Sequence, residues 1–501
     1  MTSFLADSED NLARMRQAVD LQLQDRDAGL MQYFYRSDVV YRRELETVFF
    51  KSWLWAGHVS QVPNPGDYFL YEIAEESVIV TRSHDGEIRA LVNSCRHRGS
   101  RICEERQGHC RTFVCPYHGW VYGTDGSLRG ARHMEAMPGF DKSTLGLKQA
   151  RVAVRFGMIF INFDPEAFDF ESSLRQVDAQ LGPYQLERAK IAHRETYPVD
   201  ANWKIALGNY LECYHCDTAH RAYSKLHTFK EREQVVAPIN RAMWDRAARD
   251  TGVPDIEKAV YRMFREAPGF GACVYTSRYA LFDGYLTGSR DGTPVAPLMG
   301  AFKGYDGGAG DCQFGPLAYM LNYPDHCLLF RYVPFGRDRT EMEIVWFVDG
   351  DAREGIDYDR EALTWLWHVT TLEDKRIMSL NAAGVNSRFF EPGPQHPEFE
   401  DTPKRFVDWY EALRRLVRAC ARRRLLGRCA DRARAPHQFM RNDRTRLRLA
   451  RCTNSNARPS TSAPRPCACR KTGAAGRATS WPARTTCTSN ASTGRSAMRL
   501  R

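Results

Sequence analysis

No stretch of this chain approaches the about 18 consecutive apolar residues that a membrane-spanning helix needs. No charged, apolar and small-residue leader opens it either, so a soluble, cytoplasmic protein is the expectation. An excess of positive charge is also missing from the body. The formal balance of +10 over 501 residues is uneven: residues 418–501 hold 20 Arg, one Lys and two Asp, or +19, which leaves −9 for residues 1–417. An acidic body gives no reason to expect nucleic-acid binding. The C-terminal stretch has little apolar periodicity, and Ser, Thr, Ala, Pro and Arg dominate after Cys452. It reads as a disordered Arg-rich tail of frameshift type, with an RNA- or membrane-binding tail as the functional alternative.

What is present concentrates first in two short boxes, Cys95-Arg-His97-Arg-Gly-Ser and Cys115-Pro-Tyr-His118-Gly-Trp. A [2Fe–2S] cluster with thiolates on one iron and imidazoles on the other draws one Cys and one His from each of two loops. Cys2His2 also suits structural zinc. A zinc finger, however, pairs Cys with Cys and His with His along the chain, seats its histidines on a helix, and lacks the Pro and Gly that shape these loops. The boxes therefore read as a Rieske site with Cys95, His97, Cys115 and His118 as ligands. Most of the other cysteines, of 15 in all, are expected to be reduced thiols.

A second constellation is Asn202-Trp-Lys-Ile-Ala-Leu-Gly-Asn-Tyr-Leu-Glu212-Cys-Tyr-His215-Cys-Asp-Thr-Ala-His220. Non-haem Fe(II) that activates O2 is typically held by two histidines and one carboxylate, which makes His215 and His220 candidate ligands. At about 100° per residue an i, i+5 pair sits about 140° apart on a regular helix, so one of the two should lie beyond a helix end. Glu212 and His215, three apart, share a face. Far downstream, Leu363, Leu366, Trp367 and Thr370 recur at helical spacing in a run that contains Glu373-Asp374 and should end near Gly384. That pair is the natural source of a third ligand.

The order of cluster boxes, Asn-Trp-Lys, Glu-Cys-Tyr-His-Cys and a last His resembles that of Rieske non-haem iron oxygenase large (alpha) subunits, from about Tyr33 to about Leu416. Ser100 and Tyr117 stand where respiratory-chain Rieske proteins carry the cysteines of a loop-bridging disulfide, so a reduced, oxygenase-type cluster is implied. The Glu-Cys-Tyr-His-Cys string, Gly384-Val-Asn-Ser-Arg-Phe-Phe-Glu-Pro-Gly-Pro and Phe406-Val-Asp-Trp-Tyr410 are similar to the quaternary-ammonium branch, the betaine, carnitine and choline oxygenases. One departure is Gly208-Asn209-Tyr210 where that branch usually has Glu-Asn-Tyr.

The resemblance implies an α+β protein. Its parts would be an N-terminal helical segment (1–45), an antiparallel β Rieske [2Fe–2S] domain (46–165), a helix-grip catalytic domain (166–417) and the tail (418–501). It implies mononuclear non-haem Fe(II) on His215, His220 and Asp374, with Glu373 as the fallback acid. Glu212 would be an intersubunit electron-transfer bridge between His215 and a neighbour's cluster histidine, His118, in a head-to-tail homotrimer. Electrons would come from NAD(P)H through a flavin/iron-sulfur reductase, with O2 as co-substrate. The implied activity is hydroxylation or N-demethylation of a small quaternary ammonium compound such as a betaine. An aromatic-ring hydroxylating dioxygenase is the alternative, and a non-enzymatic Rieske electron carrier or ligand-binding protein is the alternative of another class. Aromatic faces should receive a quaternary ammonium, with Tyr275, Tyr279, Phe282, Tyr285, Phe302, Tyr305 and Tyr319 as candidates and most of them core.

Coarse structure follows from pattern. Helices are expected over 7–28, 203–223 and 359–382, and Val39–Trp55 resembles the entry helix of the family. His84-Asp85-Gly86 and Thr124-Asp125-Gly126 mark hairpins, and Val152–Phe163 should close the first β unit. Leu317–Leu321 and Glu343–Val348 read as strands, so strands and helices mix as in an α+β domain.

Overall fold

The computed structural model describes residues 9–22, 24, 28–253, 259–262, 274–400 and 403. The C-terminal tail, the Phe406–Tyr410 run and parts of the expected 7–28 helix lie outside the described residues.

Three helices lead in: α1 (Leu12–Gln22), α2 (Gln32–Arg36) and α3 (Asp38–Thr47). Ser37 caps α3 by accepting the backbone N–H of Val40, a standard way to satisfy a helix-initial donor. The helix expected to reach Trp55 stops at Thr47, and Leu54–His58 is strand β1 instead. All five β1 residues are buried, which suits a strand between two layers and not the one-sided stripe of a surface helix.

The first β unit holds β2 (Asp67–Ile73), β3 (Glu76–Arg82), β4 (Ile88–Val92), β5 (Gln107–His109), β6 (Thr112–Val114), β7 (Val121–Gly123), β8 (Leu128–Gly130), β9 (Gln149–Arg155) and β10 (Met158–Asn162). Seven strands pair in the order β1-β10-β9-β4-β3-β2-β5, and β6-β7-β8 form a separate small sheet. The pairing is antiparallel throughout; the β3–β4 and β7–β8 hairpins fall where the turn residues put them, while the run Val152–Phe163 is split between β9 and β10. Phe156 and Gly157, at φ 53° and 69°, supply the left-handed turn between β9 and β10.

Short helices α4 (Phe170–Leu174) and α5 (Asp178–Leu181) link to the second unit. It runs β11 (Lys190–Val199), α6 (Trp203–Tyr210), α7 (Cys216–Ala219), α8 (Arg221–Leu226), α9 (Glu233–Asp250), β12 (Ala259–Arg262), β13 (Val274–Ala280), β14 (Gly308–Phe314), β15 (Ala318–Asn322), β16 (Cys327–Pro334), β17 (Thr340–Val348) and α10 (Arg360–Val385). Its seven strands form one antiparallel sheet, β11-β17-β16-β15-β14-β13-β12, in which the first strand pairs with the last.

Both faces of this sheet are covered. Tyr279, Leu321, Phe330 and Tyr332 point to one side and pack with Leu363, Leu366 and Trp367 of α10. Cys312, Phe314, Met320 and Phe347 point to the other and pack with Trp53, Trp55 and Phe160 of the first unit. The long helix gripped by a sheet is thus the inner layer, and the functional residues gather there.

The expected 203–223 helix is broken into α6, α7 and α8. Its start is firmly fixed. Asn202 caps α6 through the backbone N–H of Lys204, and its Nδ2 donates to the carbonyls of Tyr35 and Arg337. Glu44 of α3 receives Trp203 Nε1 at 2.8 Å and Lys204 Nζ at 2.7 Å, a fully buried pair. Asn-Trp-Lys therefore ties α6 to the leading helices.

Candidate functional site

The two boxes make matching loops. Cys95 donates its N–H to the carbonyl of Ser100 and accepts from Gly99; Cys115 donates to Trp120 and accepts from Gly119. Gly99 and Gly119, at φ 79° and 70°, take the left-handed conformation each loop needs. Both thiols are buried and both imidazoles exposed. The His97 and His118 rings lie 4.6 Å apart between centroids, and His97 stacks on Trp120. Arg98 ties the loops together, its guanidinium 3.2 Å from the Tyr117 hydroxyl. Partial desolvation, then His97 and Arg98, push His118 down toward the neutral form that ligation requires. Two thiols inside and two imidazoles at the surface fit a [2Fe–2S] group with one buried and one outward iron.

The second centre is built on a turn. His215 precedes α7 and His220 follows it, so both flank a single helical turn and neither lies within it. Glu212 makes the turn by accepting the backbone N–H groups of Tyr214 and His215. The same turn brings the Cα atoms of Cys213 and Cys216 to 4.9 Å, and the two form a disulfide. This pair is an exception to the expectation that most cysteines besides Cys95 and Cys115 are reduced thiols. Cys95, Cys103, Cys110, Cys115, Cys312 and Cys327 are free.

Across the sequence, α10 brings Asp374 to the pair. His215 Nε2 and His220 Nε2 are 3.1 Å apart, and Asp374 Oδ1 lies 2.9 Å from His220 Nε2 and 3.4 Å from His215 Nε2. Metal–ligand bonds of about 2.1 Å at right angles place donors about 3.0 Å apart, so this triangle fits the face of a six-coordinate ion. Two imidazoles and one carboxylate are the donor set of non-haem Fe(II) sites that leave positions open.

Each imidazole is held from behind by a carboxylate. Glu212 Oε1 sits 2.6 Å from His215 Nδ1, and Glu373 Oε2 sits 3.0 Å from His220 Nδ1. Glu373, the fallback acid, thus lies on the far side of His220 from the triangle. Burial pushes His215 down, but Asp374 and Glu212 outweigh it and raise the imidazolium to about 9. Burial pushes Asp374 up, and His215 and His220 pull it below the usual carboxylate range.

The triad opens onto a cavity of about 520 Å3, counting its mouth, walled by the rings of Tyr210, Tyr223, Phe229, Tyr279 and Trp367. Of the seven aromatic candidates named from sequence, Tyr279 alone lines it. Phe302 and Tyr319 are core, while Phe282 and Tyr285 lie beside Lys230 and Lys225. Sequence reasoning did not place the rings of Tyr210, Tyr223, Phe229 and Trp367 in the cavity, nor its polar lining residues Asn209, whose Nδ2 is 3.2 Å from His215 Nε2, Asp311 and Thr370. Asn209 stands one helical turn before the iron-site string, a signal that was available. For Asp311 nothing local was, since an acid inside a strand reads as solvent-facing.

No helix of the described residues is long and apolar enough to cross a membrane.

Comparison with known proteins shows related domains, sequences and folds. Residues 52–141 match the Rieske [2Fe-2S] domain model, and residues 186–414 match the ring hydroxylating alpha subunit (catalytic domain) model. The chain is 33% identical over 400 residues to the glycine betaine monooxygenase oxygenase subunit of Pseudomonas aeruginosa, covering 79% of this chain and 92% of that one. It is 37% identical over 193 residues to the carnitine monooxygenase oxygenase subunit of Escherichia coli, covering 38% and 52%. In fold it is similar to a solved quaternary ammonium Rieske monooxygenase, with TM-score 0.60 at 20% identity over 78% of this chain and 96% of that one. A naphthalene 1,2-dioxygenase from Rhodococcus sp. gives TM-score 0.58 at 20% identity over 81% and 98%.

Proposed function

The chain belongs to the Rieske oxygenases, with a Rieske domain and a ring-hydroxylating alpha-subunit catalytic domain, and we propose from that premise that it hydroxylates or N-demethylates a small quaternary ammonium compound such as a betaine. Enzymes of this family carry a [2Fe–2S] cluster and a mononuclear non-haem iron and take electrons from NAD(P)H through a reductase. Bound by His215, His220 and Asp374, the iron would activate O2 with electrons passed on singly from a cluster held by Cys95, His97, Cys115 and His118.

The rest is work for this chain's own side chains. Glu212 and Glu373 each accept an Nδ1–H, which fixes the tautomer that leaves Nε2 free toward the triangle. The five rings shed water and offer π faces to an N-methyl cation, which has no hydrogen to donate. Hydroxylation of one methyl gives a carbinolamine that breaks down to formaldehyde and the shortened amine. Glu212 is also the electron bridge to His118 of a neighbouring copy in a head-to-tail homotrimer. The exposure of both cluster imidazoles supports that role. A heterologous contact of this kind closes into a ring.

The observation that carries the reading is the convergence of two imidazoles and a carboxylate on an aromatic-walled cavity. The test is anaerobic iron and sulfide quantification. A formaldehyde assay follows, with glycine betaine, proline betaine, carnitine and choline, a surrogate reductase, and benzoate alongside. About three irons and two sulfides per chain, with formaldehyde from one methylated amine, is the expected result. Ring-hydroxylated benzoate without formaldehyde would move the substrate to the aromatic class, and two irons without product would leave an electron carrier.

A further inference from the structure

The inner face of the catalytic sheet is mostly apolar, and Asp311 is the one carboxylate among the described residues of it that lines the cavity. Tyr279, Ala309, Tyr319, Leu321, Phe330 and Tyr332 all bury there against α10, and Asp311 sits among them. In register it lies directly between Ser277 of β13 and Leu321 of β15. Its carboxylate accepts one hydrogen bond, from the Tyr210 hydroxyl at 3.1 Å. Among the described residues no Lys, Arg or His forms an ion pair with it. The Ser277 hydroxyl opposite is buried and also has no described hydrogen-bond partner.

We propose that Asp311 is the specificity-determining residue of the cavity: its carboxylate, with the rings of Tyr210, Tyr223 and Tyr279, seats the ammonium head of the substrate and presents an N-methyl group to the His215–His220–Asp374 side. This deepens the quaternary-ammonium reading and rests on it.

Three observations carry the assignment. Asp311 is half-buried on a mostly apolar face, where a carboxylate loses part of its hydration, so an acid without a described cation that lines the cavity is placed to receive one. Burial pushes the Asp311 carboxyl up to about 6 and Tyr210 pulls it back, which leaves it a carboxylate above that pH. Second, Asp311 lines the same cavity as His215, His220 and Asp374. A cation held at Asp311 is therefore held beside the candidate iron ligands. Third, none of the described lining residues is Lys or Arg. The Asp311 end of the cavity thus favours a cation, and the carboxylate of a betaine must point away from Asp311.

The experiment compares glycine betaine with 3,3-dimethylbutanoate, its uncharged-head isostere of the same shape. Binding is measured by calorimetry at pH 8 on the anaerobic full chain with its metals loaded. Wild type should bind the betaine more tightly than the isostere. In Asp311→Asn, which keeps an acceptor for Tyr210, the betaine Kd should rise at least about tenfold while the isostere Kd stays within about twofold. Tyr279→Leu should likewise weaken the betaine more than the isostere. An unchanged betaine Kd, or an equal loss for both ligands, would overturn the assignment while leaving demethylation intact. If wild type binds neither betaine, choline nor tetramethylammonium, the quaternary-ammonium reading fails together with it.

Discussion

Removing the mononuclear iron with a chelator, with the Rieske cluster left in place, should expose a pH dependence written into the triad. In the metal-free site His215 lies between Glu212 at 2.6 Å and Asp374 at 3.4 Å, and its imidazolium is raised from 6.5 to about 9. A raised histidine stabilises the fold in full below its unfolded value, and that contribution is lost as pH climbs through the folded value. The window is therefore pH 6.5 to 9. Two and a half units at 1.36 kcal/mol each give about 3 kcal/mol, counted once for the His215–carboxylate interaction and not again at Asp374. With about 2 cal/mol/K of unfolding entropy per residue over some four hundred ordered residues, that is roughly a 4 °C fall in Tm between pH 6.5 and 9. Differential scanning calorimetry of the chelated protein against a chelated His215→Gln variant isolates the effect, because other titrations cancel in the difference. Metal loading should reverse the sign, since the ion needs neutral imidazole and gains affinity as pH rises toward 9. Equal slopes for the two chelated proteins would refute the reasoning.

Glu212→Gln should keep both metal centres and cluster reduction, seen in the visible spectrum, while steady-state turnover is lost. Asp374→Ala should lose mononuclear iron by elemental analysis with the cluster absorbance intact. Glu373→Ala should keep the ligand triangle and lower iron affinity about 10- to 100-fold in a chelator competition, because only the hold on His220 Nδ1 is removed. Lys204→Met removes the ammonium that Glu44 holds at 2.7 Å in a buried pair, and urea unfolding should register a loss of about 3–5 kcal/mol, the usual cost of breaking a buried pair from one side.

Much of this was legible in the residues themselves. The cluster boxes announce their ligands by type and spacing, and turn residues locate the hairpins because a left-handed turn demands Gly or Asn-like residues at fixed places. The i, i+5 spacing of His215 and His220 pointed to one of them lying beyond a helix end, although the run 203–223 still read as a helix. Periodicity could not show that the break falls at both ends of α7, since it is set by Glu212 side-chain contacts with backbone N–H groups. Trp53 to Trp55 read as helix because the burial that favours a strand comes from a sheet over a hundred residues away. The cavity wall was the least legible part. Tyr223 and Trp367 come from helices, Tyr279 and Asp311 from neighbouring strands, and no local pattern distinguishes a ring that faces a cavity from one that faces the core.

Glu212 has a last property that follows from counting. A carboxylate offers about four acceptor positions. Three are filled from its own turn, by the N–H groups of Tyr214 and His215 and by His215 Nδ1. All three bonds come from one turn, so the carboxylate is held in one orientation. In the trimer proposed above, a donor from another copy would therefore have to meet it along a set line. The contact would behave as a keyed joint, in which a slight misalignment between copies breaks the connection outright instead of weakening it by degrees.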